Sequence, residues 1–431
     1  MRGETIAAMA TAPGRGGVAI VRVSGPCAFD VARKIARRDP RPGRIQFARF
    51  VAPSGAHVLD EGLLLSFRAP HSYTGEDVVE FQCHGGTVTP RRILAAAFAA
   101  GARLARRGEF TERAFLNGRL ALDQAGAVLD LIDAKTDRAA DAALAELASD
   151  ADGTRPSARD SRLRAIYDAA LSVSSTLEHA LDIDEGELPP DFADRLVAAL
   201  ADLRARLAEA LARARERALL RQGVLVVLAG PPNAGKSSLL NALVGHSRAI
   251  VSDVPGTTRD AVEAWLDLGG WPVRLVDTAG LRETSDALEA EGVRRSAALI
   301  AEAAVVLDLG PGATSSDKVI AVQSKCDLLP ASSPGALRVS AKTGEGLDDL
   351  RRALVERLEA QAASFSEDVG DRRAALCHEA LALLDQLPRP LDLVLAGNLL
   401  QRVCAKLGAE LGVTYTEDLL ARIFSRFCVG K

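Results

Sequence analysis

The residues Gly230-Pro231-Pro232-Asn233-Ala234-Gly235-Lys236-Ser237 have the glycine, lysine and hydroxyl spacing of a loop that cradles phosphate. Phosphate needs several backbone N–H groups converging on it. Gly230 and Gly235 let the main chain bend that tightly, and a following helix offers the positive end of its dipole. Lys236 is placed to reach the β and γ phosphates and Ser237 to ligate Mg²⁺. Downstream, Asp277-Thr278-Ala279-Gly280 supplies a carboxylate to support the metal, directly or through water, and a Gly280 N–H for the γ phosphate. Between them Gly256-Thr257-Thr258-Arg259-Asp260 follows Ser252-Asp253-Val254-Pro255, and the Thr258 hydroxyl is expected to close over Mg²⁺. A chance glycine-rich turn is the competing reading, and the match of all eight positions makes it the weaker one.

Base choice points to Ser324-Lys325-Cys326-Asp327 and Ser340-Ala341-Lys342. Asp327 can accept from two guanine N–H groups that adenine does not offer. Lys325 would lie along the base plane, and the Ala341 N–H would face guanine O6. Ser324 stands where GTPases usually carry Asn, so its shorter side chain is expected to tie this loop less well to the phosphate loop and to lower nucleotide affinity. Specificity, resting on Asp327, is expected to survive. Leu281 follows Gly280, where Ras-like proteins place a water-orienting glutamine. Glu283, Glu289 and Glu291 are alternatives that spacing alone does not separate, and a solvated helix face is the plainer account of all three.

These groups need strand ends and a helix start to hold them. The apolar run Val224 to Ala229 predicts a strand before the loop, and Ser238-Leu239-Leu240-Asn241-Ala242-Leu243 a helix after it. Further strands are expected at Val273 to Val276, Val319 to Val322 and Leu337 to Val339, giving a nucleotide domain over 222–362. A length of 431 residues suggests about three domains. Apolar residues make up 48% and aromatics only 4%, so cores must be built from Ala, Leu and Val, which favours close-packed helices. Helical patterns near 121–149, 158–182 and 191–221, then 366–387, 395–411 and 416–427, flank the nucleotide domain. The simplest architecture joins 119–221 and 363–431 into one helical domain with the α/β domain inserted. Residues 1–118 read as α+β, with runs such as Val18 to Val23 and Val78 to Gln82 between glycine and proline turns. There Pro13-Gly14-Arg15-Gly16-Gly17, Tyr73-Thr74-Gly75-Glu76-Asp77 and His84-Gly85-Gly86 read as loops, with His84 a turn residue rather than a catalyst. The acidic stretch Asp182 to Pro190 lacks EF-hand ligand spacing and reads as an interhelical loop.

Lys plus Arg (53) nearly balance Asp plus Glu (57), a net charge of −4, so any RNA contact must be local. Six cysteines lack paired metal-ligand spacing, which fits a reducing cytosol. Met1 to Ala10 shows no secretion signal and no apolar run reaches spanning length, so a cytoplasmic protein without membrane contact is expected.

Taken together, the residues resemble the tRNA-modification GTPase MnmE (TrmE) family. The resemblance rests on Thr5-Ile6-Ala7-Ala8, the loops Pro13-Gly14-Arg15-Gly16-Gly17-Val18 and Tyr73-Thr74-Gly75-Glu76-Asp77, Phe115-Leu116-Asn117-Gly118-Arg119-Leu120, the phosphate loop with Gly256 to Asp260, and Ile423-Phe424-Ser425-Arg426-Phe427-Cys428-Val429-Gly430-Lys431. It implies a multidomain α/β plus α fold: an N-terminal tetrahydrofolate-binding and dimerisation domain, and a Ras-like G domain inserted in an all-α domain. It further implies a homodimer, a heterocomplex with MnmG carrying FAD, and GTP hydrolysis coupled to a carboxymethylaminomethyl-type change at C5 of wobble uridine 34 in tRNA. The one-carbon donor would be 5,10-methylenetetrahydrofolate, with 5-formyltetrahydrofolate as its analogue. Folate contacts would be Arg22, Glu80, Arg119 and Lys431, Arg119 replacing a more usual Lys and so keeping charge but not hydrogen-bond geometry. K⁺ would replace an arginine finger, held by Asn233, Ser252, Val254 and Thr257, and Glu289 would help position the attacking water. Ala234, Gly235 and Ser238 complete the implied nucleotide contacts. Cys428 suggests a thiolate nucleophile, but with no neighbouring His or helix N-terminus a small packing residue is preferred. A purely regulatory GTPase and a stand-alone folate aminomethyltransferase are the competing functions; the first leaves the N-terminal residues unexplained, the second the nucleotide domain.

Overall fold

The computed structural model describes residues 3–55, 57–120, 122–147, 158–181, 188–246, 263–278, 294, 296–328, 335–364, 372–388 and 392–411. The described residues divide into two compact units, with the boundary after Leu129.

The first unit is an α+β layer. Strands β1 (Ile6–Met9), β2 (Val18–Ser24), β3 (Gln46–Val51), β4 (Val58–Phe67), β5 (Val78–His84) and β6 (Arg103–Leu104) form one sheet in the order β3-β4-β5-β2-β1-β6. All pairings are antiparallel except β1 with β6. Alternation along β2 and β5 sends Val21, Val23, Val79 and Phe81 into the core, where α1 (Ala28–Ala36) and α2 (Thr89–Ala99) cover them. The same alternation puts Arg22 opposite Glu80 on the other face. His84 is not a turn residue: it ends β5, and Asp60 accepts hydrogen bonds from its backbone N–H at 2.8 Å and pairs with its Nδ1 at 2.8 Å.

Behind that second face, helix α3 (Glu109–Leu116) is anchored by charge. The Glu109 side chain, only 3% exposed, takes Arg103 at 2.6 Å and Arg113 at 3.0 Å, together with the Arg106 N–H at 2.8 Å. Arg113 also reaches Glu76 at 2.9 Å, and Glu76 accepts from Ser24 at 2.7 Å, tying the 72–77 loop to β2.

The second unit combines helices with a nucleotide-type sheet. Helix α4 (Leu122–Asp133) spans the boundary, followed by α5 (Asp137–Leu147), α6 (Ala158–Leu181) and α7 (Phe192–Gln222). The helical pattern near 121–149 is broken at Ala134-Lys135-Thr136, because Thr136 Oγ1 accepts the Ala139 N–H at 3.2 Å and donates to the Gly270 carbonyl at 2.8 Å. That break docks the helical hairpin on the sheet, with Lys135 over Trp265 and Arg138 over Trp271, each 4.1 Å from the ring centroid. On α7, Leu196, Leu200, Leu203, Leu207 and Leu211 recur at helical spacing and bury one stripe in a core shared with α6, α10 (Arg372–Asp385) and α11 (Leu393–Leu411). Gly223 ends α7 at φ 78°, and any Cβ there would lie 2.2 Å from the Trp265 ring.

The chain passes at once into β7 (Val224–Ala229), then α8 (Lys236–His246), β8 (Glu263–Leu268), β9 (Trp271–Asp277), β10 (Val305–Asp308), β11 (Val319–Gln323), β12 (Leu337–Arg338) and α9 (Leu347–Ser364). The sheet order is β12-β11-β10-β7-β9-β8, parallel except for the β8–β9 hairpin. The fold is thus multidomain α/β plus α, with helices before and after the inserted sheet. Among the described residues no helix is long and apolar enough to cross a membrane. The Asp182 to Glu187 stretch and the helix expected near 416–427 lie outside the described residues.

The Glu109 network sets a pH expectation. Burial alone pushes this carboxyl up, but Arg103, the Arg106 N–H and Arg113 outweigh it and hold it at about 2, against 4.5 unperturbed. A carboxyl whose pKa is depressed on folding stabilises fully above its unfolded value, and that gain is lost as pH falls toward the folded value. The gain is on the order of 3 kcal/mol. Glu109→Gln is therefore expected to lower the melting temperature at about pH 6 and to flatten the fall in stability from about pH 5 to pH 3, read by thermal scans of both proteins; parallel pH curves would refute this.

Candidate functional site

The β7–β9 pairing builds the phosphate end. Leu228 lies opposite Asp277 in parallel register, so the turn after β7 and the end of β9 meet at the same edge of the sheet. Ser237, in the first turn of α8, donates from Oγ to Asp277 Oδ2 at 2.6 Å, and Asp277 is fully buried. These are hard oxygen donors side by side, the chemistry that suits Mg²⁺. The loop itself needs its glycines: Gly230 has φ 138°, and a Cβ there would meet Leu309 at 3.1 Å. Lys236 Nζ, almost wholly buried, donates to the carbonyls of Gly230 and Pro231 at 2.8 Å each, which holds the ammonium against the loop. Thr278 turns its hydroxyl to Leu228 O at 2.9 Å, so its side chain serves the strand end.

The base side is a cavity of about 210 Å³ lined by residues that include Lys325, Asp327, Ser340, Ala341 and Lys342, with Gly235, Ser238 and Ser324. Asp327 is exposed, leaving its carboxylate available to a base. Ser340 is fully buried; its Oγ accepts from the N–H groups of Lys342 and Thr343 at 3.3 and 3.2 Å, and this fixes the turn that presents the Ala341 backbone. The Cys326 N–H donates to Val339 O at 3.2 Å and joins the two base loops. Burial raises the Cys326 thiol above its ordinary pKa, which suits packing rather than reactivity.

The expectation of a weak tie at Ser324 is corrected. Its Oγ donates to Ala234 O at 2.5 Å, and Lys325, in the left-handed region at φ 56°, donates from Nζ to Asn233 O at 2.8 Å. A serine suffices because the phosphate loop backbone comes to it, and the lysine adds a second strap. Asn233 is itself left-handed (φ 58°) and exposed, with its carbonyl held by Lys325.

In the N-terminal unit, Arg22 Nε and Glu80 Oε1 are 2.8 Å apart, both largely buried. The Arg22 guanidinium also lies 5.4 Å from the Tyr73 ring centroid and 5.7 Å from that of Phe110. Tyr73 Oη pairs with Thr111 Oγ1 at 2.9 Å, and burial raises its phenol pKa. Arg119 is exposed and donates from Nε to Ser72 O at 3.1 Å, so it meets the same loop one residue earlier. Tyr73 opens the 73–77 loop that the sequence marks, and what the sequence does not show is that its ring lies against the Arg22 guanidinium. Among the described residues no group of three or more His, Cys, Asp or Glu is placed to hold a metal.

Comparison with known proteins sets this geometry in a lineage. Residues 5–119 match the family model of the GTP-binding protein TrmE N-terminus, and residues 122–428 match that of the MnmE helical domain. The chain is 44% identical to the tRNA modification GTPase MnmE of Symbiobacterium thermophilum, covering 99% of each protein. It is 42% identical to that of Azoarcus sp. (99% and 98%) and 40% identical to that of Thermus thermophilus (99% of each). The chain belongs to the MnmE family. Of the residues that membership brings into question, Arg22, Glu80, Arg119 and Asn233 are placed as above, whereas Ser252, Val254, Thr257, Thr258, Ala279, Gly280, Leu281, Glu289, Cys428 and Lys431 lie outside the described residues.

The Ser324 bond gives a direct test within the MnmE fold. Removing one hydroxyl donor while leaving Asp327 in place is expected to weaken GTP binding by about 1 kcal/mol, roughly fivefold, with the preference for guanine over adenine unchanged. Titration of Ser324→Ala with fluorescent GTP and ATP analogues checks this, and an unchanged GTP affinity would show that the strap is dispensable.

Proposed function

We propose that this chain hydrolyses GTP and uses the cycle to drive modification of wobble uridine in tRNA, with a tetrahydrofolate as the one-carbon source. The observation that carries the reading is the presence, in one chain matching MnmE relatives over 99% of its length, of a cavity lined by Lys325, Asp327 and Ala341 beside the phosphate loop and of the Arg22–Glu80 pair in the N-terminal unit.

In the G domain, Ser237 and Asp277 would hold Mg²⁺, Asp277 directly or through water, with Thr258 as a further ligand. The backbone of residues 233–238 and Lys236 would hold the phosphates, and Asp327 would read guanine. Bound Mg²⁺ supplies neutralisation of charge on the phosphate oxygens. Asn233 has an exposed side chain on a backbone fixed by Lys325, which suits a ligand for K⁺, with Ser252, Val254 and Thr257 as its companions. Glu289 would orient water, since Leu281 cannot.

In the N-terminal unit, Arg22 and Arg119 offer positive charge to folate carboxylates, Glu80 offers an acceptor to a pterin ring, and Tyr73 and Phe110 keep the Arg22 guanidinium in place; Lys431 would be a further folate contact. The active assembly is a homodimer in the cytoplasm that works with MnmG, which brings FAD. The product is a carboxymethylaminomethyl-type group at C5 of uridine 34. Methylenetetrahydrofolate is the donor this reading selects.

The ion assignment has a simple assay. GTP turnover by the purified chain is expected to be at least about tenfold faster in K⁺ than in Na⁺, the loss of one transition-state electrostatic contact being a few kcal/mol. Equal rates in the two salts would remove K⁺ from the account, and no turnover in either would remove GTP hydrolysis.

A further inference from the structure

Residues 33–49 carry seven Lys and Arg against one acid, Asp39, in a chain whose net charge is −4. This stretch runs from the end of α1 through a loop into β3, the edge strand of the first sheet. Neither the nucleotide site nor the Arg22–Glu80 site uses it. Some of the charge is locally answered: Arg33 pairs with Asp30 and Asp39, Arg49 with Glu61, and Lys34 caps the Ala100 carbonyl. Arg38, Arg41 and Arg44 are exposed and have no acidic partner among the described residues.

The loop that carries them is nevertheless held. Gln46 accepts the Arg41 N–H at 2.8 Å and donates to Asp39 O at 3.1 Å. Arg44 N donates to Arg41 O at 3.1 Å, and Gly43 N donates to Ser66 O at 3.2 Å. The helix before it ends on Arg37 at φ 49°, the left-handed cap position that glycine or asparagine fills most readily. A merely solvated face needs neither a pinned backbone nor an arginine in that conformation. Two apolar side chains complete the surface: Ile45 is 69% exposed and Phe47 is 60% exposed, the latter on the outward side of β3 with Arg49.

Guanidinium forks match phosphate oxygens, and an exposed aromatic beside them matches the face of an unstacked base. Charge placed to protect a sheet edge would sit on the strand, as Arg49 does, whereas Arg38, Arg41 and Arg44 precede it. We propose that the loop from Arg37 to Ile45, with Phe47, is a docking surface for RNA, its arginines on backbone phosphates and Phe47 against a base in an unpaired segment. This rests on the reading of tRNA as the substrate and assigns part of its contact to the N-terminal unit.

The test measures binding of an unmodified tRNA transcript to the full-length protein by fluorescence anisotropy at a series of KCl concentrations. With Arg38→Ala, Arg41→Ala and Arg44→Ala combined, the slope of log affinity against log salt is expected to become shallower by about two to three. Phe47→Ala is expected to weaken binding at every salt concentration with the slope unchanged. GTP turnover and melting temperature are expected to match the parent in both variants, which separates lost binding from lost folding. A triple variant with parental affinity and slope would overturn the surface while leaving tRNA as substrate intact. Parental protein that fails to bind the transcript would overturn both. Loss of binding only to anionic phospholipid vesicles, with RNA binding intact, would assign the arginines to a membrane and overturn the proposal.

Discussion

The parallel register of β7 against β9 is the constraint on which the nucleotide site depends. Because Leu228 faces Asp277, the sheet delivers a buried carboxylate to within 2.6 Å of the first hydroxyl of α8. A one-residue slip of β9 against β7 would exchange the two faces of the shifted strand and carry Asp277 away from Ser237. The apolar runs Val224–Ala229 and Trp271–Asp277 are covered on both faces, and the register in which Val226, Val273 and Leu275 pack into one core also sets the polar pair. Function here follows from core packing, because the same contacts that exclude water fix where charge can be held.

A comparable logic places the N-terminal site. The core alternation of β2 and β5 buries Val21 and Phe81 on one side and leaves Arg22 and Glu80 opposed on the other. Partly buried charges are costly unless paired. Arg22 is paired with Glu80 and lies against two aromatic rings, so its guanidinium is oriented before any ligand arrives. Arg119, by contrast, is tied to the Ser72 carbonyl and keeps an exposed side chain.

Much of this was legible in the chain, and the limits have physical causes. The phosphate loop, the strands around it and the placing of Asp327 at the cavity beside that loop are local patterns in which spacing alone fixes geometry. Helices around the inserted sheet followed from leucine periodicity. The break at Thr136 was not legible, because the hydroxyl that caps α5 is recruited by Gly270, a residue distant in sequence. Ser324 was misjudged for a related reason: side-chain length in sequence says nothing of how closely another backbone approaches. The Glu109 network joins Arg103, Arg106 and Arg113 through a helix and a strand end, and only folding turns that run of charges into one buried cluster. The arginines of residues 37–44 are visible as composition, but the pinned backbone that carries them is not.

The central claim is that the Ser237–Asp277 geometry powers chemistry on tRNA, and the most direct measurement is the wobble-uridine nucleoside profile of cells whose sole copy carries Asp277→Asn. That change keeps the shape of the side chain and removes the buried charge beside Ser237 that the proposed Mg²⁺ would need. The account predicts loss of carboxymethylaminomethyl-type nucleosides with the variant protein present at parental abundance, and their return with the parental chain. Normal nucleosides in the variant cells would contradict it.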